Sequence, residues 1–214
     1  MLNAMKSEAL KLKNSFSVYI LMTFFLLELL TIPVYLMVNH GRVLGNNLLF
    51  LSMLAYPILT SILSILSCEQ EEMANHFQEI NGYFHPKKIW IAKILMLDIL
   101  WLFPTVVIWL AVGNLLAALA TWLLALFLTH FQMLLSTFLG RGGNLVVAFV
   151  EVLVIIFASN RTFLGMYWNP VALPVNLVLD VNKLGIISLV IWNTLVFLGV
   201  LMLAHKNAGS VRKN

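Results

Sequence analysis

The feature that most constrains this chain is a succession of apolar runs about as long as a helix needs to cross a bilayer. The first, residues 16–38, is 23 residues long and carries one charge, Glu28. A membrane-spanning helix needs about 20 such residues. Comparable runs occupy 48–67, 89–112, 115–139, 145–159 and 184–204. Charged residues are only 10% of the 214, whereas a soluble domain carries about a quarter. So few charges cannot cover a water-facing surface. The runs predict an all-α integral membrane protein of six transmembrane helices in one domain, 1–214. The spans and their short connections use up the chain, leaving no room for a separate soluble domain of ordinary size. The 16–38 run is too long for a usual signal-peptide core and lacks an Ala-x-Ala ending, so it reads as a retained span. The 145–159 run is short, and is expected to extend past Arg161 or to bend.

Lysine and arginine set the orientation, because cytosolic loops are enriched in both. With the N-terminus inside, the cytosolic segments hold Lys6, Lys11, Lys13, Lys87, Lys88, Lys93, Arg141, Lys206, Arg212 and Lys213, and the outer ones only Arg42, Arg161 and Lys183. Ten against three predicts both termini in the cytosol. Tyr56, Trp90, Tyr167 and Trp168 read as interfacial rings near span ends or in the outer loop. The net charge of +4 is explained by these flanks. No basic patch interleaved with aromatics points to nucleic acid. Gly113 and Asn114 alone separate the third and fourth runs, which requires a tight antiparallel hairpin, and residues 141–144 separate the fourth and fifth in the same way. The single cysteine, Cys68, excludes an intrachain disulfide and a cysteine metal cluster.

Three segments outside the spans are informative. In residues 1–15, Leu2, Met5, Ala9 and Leu12 recur at helical spacing while Lys6, Lys11 and Lys13 lie elsewhere around the wheel. That pattern suits an amphipathic helix on the membrane surface. A basic flank that only sets topology would carry the same lysines. The connection after the second span, residues 68–88, crowds Glu69, Glu71, Glu72 and Glu79 into its first half. Met73, Phe77 and Ile80 fall at i, i+4 and i+7, a narrow apolar stripe on a polar helix. Asn81-Gly82 is a stop signal, and Pro86 fits the first turn of the next helix. Such a stripe can dock in a groove of a cytosolic partner, or the segment is a solvated connector. The outer segment, 160–183, is rich in Leu and Val and also carries Phe163, Met166, Tyr167 and Trp168. It is too apolar to stand in water and is expected to fold back onto the membrane or cap the spans. Asn160-Arg-Thr162 matches a glycosylation acceptor, a pattern that chance often produces.

Glu28, Asp98, His130 and Glu151 fall inside the proposed spans. Ionisable groups there are costly and usually face the bundle interior or water. Glu28, near mid-span, is the foremost candidate for a functional carboxylate, and His130 is a possible partner for one of the acids. The alternative is interhelical hydrogen bonding that only fixes packing. No P-loop, zinc-protease helix or nucleophile elbow is present. Glu71-Glu72 matches the paired glutamates of CAAX-type intramembrane proteases only in part, since His76 stands where that pattern needs Arg. No enzymatic activity is expected of the chain itself, and any energy source must be a partner protein or an ion gradient.

The opening Lys6-Ser-Glu-Ala-Leu-Lys-Leu-Lys13 is similar to the Glu-x-x-Lys-x-Lys start of ABC-2-type transporter permeases. The segment Glu69-Gln-Glu-Glu-Met-Ala-Asn-His-Phe-Gln78, followed by Pro86 and a third span, resembles the Glu-rich loop of the permeases of lantibiotic immunity exporters. The resemblance implies a multi-pass bacterial cell-membrane protein that pairs with a second six-span permease, either a different chain or a second copy of this one, on cytosolic ABC ATPase subunits. ATP and Mg would be bound by the ATPase, and no cofactor by this chain. It implies an elbow helix on the inner leaflet formed by Met5, Lys6, Glu8, Ala9, Lys11, Leu12 and Lys13. It also implies a coupling helix that meets the ATPase through Glu69, Glu71, Glu72, Met73, His76, Phe77, Gln78 and Ile80. The substrate would be a lantibiotic peptide, expelled from the producer's own membrane. Two other readings stay open: a non-transporting protein that sequesters the peptide or regulates a sensor, and an ion-coupled carrier using Glu28 and Glu151.

Overall fold

The computed structural model describes residues 2–13, 15–38, 45–73 and 86–210. The chain is all-helical, 88% helix, with no strand among the described residues. In chain order the helices are α1 (Leu2–Lys13), α2 (Phe16–Val38), α3 (Gly45–Met73), α4 (Pro86–Leu100), α5 (Leu102–Val112), α6 (Leu115–Ser159), α7 (Leu173–Leu179) and α8 (Lys183–Ser210). Five helical stretches are long and apolar enough to cross a membrane, the pattern of a multi-pass membrane protein. One of the five, Lys88–Val112, runs through α4 and α5. Their break at Trp101 has a local cause: Pro104 has no N–H to give the Leu100 carbonyl. The bonds Trp101 N–H to Leu97 and Thr105 N–H to Trp101 carry the helix across the gap.

The longest helix is not straight. Gln132 Nε2 donates to Glu151 Oε2 at 2.6 Å, yet 19 residues of straight helix would hold those positions about 28 Å apart. The reversal lies at Gly140, with φ 66° and ψ −172°, a region open in practice only to glycine. α6 is therefore two arms, residues 115–139 and 141–159, folded against each other. The sequence reading placed a linker at 141–144. These residues instead form the first turn of the second arm, because one glycine is enough to turn the chain. The second arm gains its length at its start, and ends at Ser159 as the 145–159 run does, rather than by extending past Arg161. Gly143 is needed for a different reason: a Cβ there would stand 2.7 Å from the Leu139 Cβ.

The connection between α5 and α6 is the tight hairpin the sequence predicts. Gly113 sits in the left-handed region at φ 70° and its N–H bonds the Trp109 carbonyl, an αL cap. Asn114 then caps α6 by accepting from Leu116 N–H and Ala117 N–H.

The core is the seam between α3 and the first arm of α6. Ala117, Thr121, Ala125 and Thr129 recur every fourth residue on α6 and are buried, as are Thr60 and Ser64 on α3. Side chains this small let helix backbones approach, which drives association where lipid removes the hydrophobic contrast. The threonine hydroxyls are satisfied locally, Thr60 donating to Tyr56 O, Thr121 to Ala118 O and Thr129 to Ala125 O, while Ser64 Oγ donates across the seam to Thr129 O. Tyr56, read from sequence as an interfacial ring, is instead wholly buried in this seam. Its ring lies 4.9 Å from Trp101 and 6.0 Å from Phe24. Aromatic pairs of this kind contribute about 0.5–1.5 kcal/mol each beyond their buried area. Trp101 Nε1 in turn donates to Thr129 Oγ1 at 3.0 Å.

The segment after α6 folds back as its apolar composition requires. α7 is buried from Leu173 to Val178 and packs on α6 and α8. Asn176 Nδ2 donates to Phe163 O, and Ser188 Oγ to Tyr167 O, fastening the segment to α8. A smaller cluster at the other end joins Leu12 of α1 to Ile89, Trp90 and Ile94 of α4, with Met133 and Val200. Long apolar side chains point outward over α2, the second arm of α6 and α8, as a lipid-facing surface requires.

Candidate functional site

The structure places the sequence-predicted polar residues in separate locations. At the end of the bundle that carries α1, that helix turns its predicted stripe inward. Leu12 is buried, and Met5 and Ala9 are half-buried, against α4 and α2. Glu8 is also buried on this face and pairs with Lys11 at 3.3 Å. Lys6 and Lys13 remain exposed. Part of the stripe is thus covered by the protein itself.

α3 continues beyond the expected end of the second span, through Glu69, Glu71 and Glu72 to Met73. Nothing between Ser67 and Met73 stops a helix, and Glu, Gln and Met favour one. His76, Phe77, Gln78, Glu79, Ile80 and the Asn81-Gly82 stop lie outside the described residues. Glu69 forms an ion pair with the Arg141 guanidinium at the α6 reversal. Lys93, counted in sequence as a topology signal, is buried and its Nζ donates to Ser67 O at 3.2 Å. Neither contact was foreseen, since both depend on which ends of the helices meet.

The intramembrane candidates fall into three settings. His130 Nε2 stands 3.2 and 3.3 Å from the two Asp98 carboxylate oxygens. His130 thus partners an acid, as the sequence allowed, and that acid is Asp98. Glu151 lies between the two arms of α6, held by Gln132. Asn144 ties the same turn by donating to Ser136 Oγ at 2.6 Å and to Gln132 O at 3.3 Å. Gln132, Ser136 and Asn144 are polar residues the sequence reading passed over. Polar residues facing each other across a probable turn were the available signal.

Glu28 differs. It lines a cleft of about 170 Å³ between α2 and α3. The floor is Glu28, Ile32, Leu48 and Ser52, all buried, and the rim includes Leu27, Thr31 and Leu51, all exposed. The Ser52 hydroxyl faces the carboxyl group across the cleft. Neither Glu28 oxygen closes a hydrogen bond of good geometry, and no cation stands against it among the described residues. No group of three or more His, Cys, Asp or Glu among the described residues is arranged to hold a metal.

Comparison with known proteins gives no significant match: no family model, no curated protein and no solved structure matches the chain. The fold and the carboxylates therefore define a class only, a multi-pass α-helical membrane protein whose apolar helices carry acids in three different settings.

Proposed function

We propose that this chain is the permease subunit of an ATP-driven exporter of the ABC-2 type, with six spans and both ends in the cytosol of a bacterial cell. Within that class, its particular likeness is to the shorter permease of the nisin immunity transporter. The observation that carries the reading is the reversal of α6 at Gly140. Counting its arms as two crossings brings the spans to six and leaves α1 and the end of α8 on one side. The ten-to-three distribution of Lys and Arg favours the cytosol for that side.

On this reading α1 is the elbow, and the end of α3 with the segment after it is the coupling element that meets the ATPase. The Arg141–Glu69 pair would then link that element to the α6 reversal, so a push on α3 reaches both arms. The partners are cytosolic ABC ATPases, which bind ATP and Mg, and a second six-span permease. The cargo is a lantibiotic expelled before it forms pores. The buried Glu28 and Glu151 favour a second reading, an ion-coupled carrier.

The test is survival in nisin of a sensitive bacterium carrying this chain, its companion permease and the ATPase. Protection is expected with the intact ATPase and lost when its P-loop lysine is mutated. Protection that outlasts the dead ATPase but falls when the proton gradient collapses supports the carrier. Protection that survives both supports sequestration and overturns the exporter.

A further inference from the structure

Among the described residues, the α2–α3 cleft has a chemistry that no other part shares. Glu28 is at mid-helix, about 18 Å along α2 from Phe16 and 15 Å from Val38. Its residue is 4% exposed, yet its carboxyl group faces an open cleft with only the Ser52 hydroxyl beside it, and neither oxygen closes a hydrogen bond of good geometry. A buried acid without a partner is costly. Elsewhere in this bundle such groups have been given one: Gln132 for Glu151 and His130 for Asp98. At Glu28 the chain supplies a volume instead. About 170 Å³ is comparable to an apolar cavity that accepts a benzene-sized molecule. Its mouth, between the exposed Leu27 and Leu51, opens on the apolar outer surface of the bundle.

We propose that this cleft is a binding site for a primary amine on an aliphatic stem, entering from the bilayer. The stem lies along Phe24, Ile32 and Leu48, and the nitrogen meets the Glu28 carboxyl group, with the Ser52 hydroxyl as a second polar contact. Amine and carboxylic acid together carry no net charge, whichever of them holds the proton. The pair therefore avoids the penalty that an isolated ammonium or carboxylate meets at this depth. An alcohol of equal length offers the carboxyl group a hydrogen bond but no counter-charge, and a fatty acid adds a like charge. The site discriminates by head group, not by chain. The proposal does not rest on the transport reading and is tested without it.

The test uses the full chain in lipid nanodiscs and dicyclohexylcarbodiimide, an apolar reagent that adds covalently to carboxyl groups accessible from lipid. Labelled residues are located by mass spectrometry. Glu28 is expected to be labelled, and saturating octylammonium to slow its labelling about tenfold, equivalent to 1.4 kcal/mol. Octanol at the same concentration is expected to leave the rate within twofold (a tolerance of about 0.4 kcal/mol). Glu151, held in its hydrogen bond, serves as an internal control that octylammonium leaves unchanged. Radiolabelled octylamine should bind the wild-type chain and be lost from Glu28→Gln. Equal protection by octanol, protection of Glu151 alongside Glu28, or no labelling of Glu28 would each overturn the site. The protection experiment needs only the wild-type chain, so a misfolded variant leaves the outcome decisive.

Discussion

Glu151 and Glu28 are both 4% exposed and both sit within apolar helices, yet their surroundings assign them opposite work. Glu151 is closed in by Gln132 at 2.6 Å, inside a turn that Asn144 and Ser136 also tie. It holds two arms of one helix together. Glu28 faces a cleft between two helices and makes no such bond. Burial alone therefore does not say what an intramembrane acid is for. The difference is that Gln132 holds one Glu151 oxygen in a short hydrogen bond, whereas neither Glu28 oxygen closes one of good geometry.

The strongest way to break this comparison is to open the turn that defines the Glu151 side. Gly140→Val places a β-branched residue at φ 66° and ψ −172°. A Cβ there would meet nothing within 4 Å, so the cost of adding one is backbone strain, about 1–3 kcal/mol. Parting the arms would add the loss of the Gln132–Glu151 bond. A sharp fall in the unfolding midpoint in detergent is expected. An unchanged midpoint would mean that the reversal does not depend on this conformation. Next in size is the direct exchange of the acids. Glu151→Leu orphans the Gln132 amide and should destabilise by about 1–3 kcal/mol. Glu28→Leu removes an acid that closes no hydrogen bond of good geometry and should be neutral or mildly stabilising. The same unfolding measurement reads both, and equal losses would erase the distinction drawn between them.

The spans were legible because the bilayer fixes their length. Residues 16–38 coincide with α2, and Gly113-Asn114 makes the hairpin its brevity demanded. What escaped was helix rotation. In a soluble helix the polar face marks the outside, but here lipid and core are both apolar and the contrast is gone. Nothing in α2 says which way Glu28 points. Nor does the sequence announce that Asp98 meets His130, or that Tyr56 stacks on Trp101 rather than sitting at an interface. The small-residue ladder from Ala117 to Thr129 carried the one rotational signal available, and read as such it would have located the α3 seam. The ends of helices were equally hard to read, because Arg141–Asn144 has the composition of a loop and the geometry of a first helical turn.

A third carboxylate, Glu69, gives the smallest effect and sharpens the comparison from the water side. Its side chain is 20% exposed and that of its partner, Arg141, 67%, so solvent screens the attraction. Pairs of this kind contribute about 0.2–1 kcal/mol. A double-mutant cycle of Glu69→Gln and Arg141→Gln should return a coupling energy within that range, well below the loss from Glu151→Leu. If the pair only stabilises, nisin protection should track stability and hardly change. If it links the end of α3 to the α6 reversal, protection should fall well out of proportion to stability. Glu69→Arg with Arg141→Glu, which restores the pair in reverse, should recover part of it. Failure of the reversed pair to recover any protection, with both proteins present in the membrane, would confine Glu69 to the role its exposure already permits.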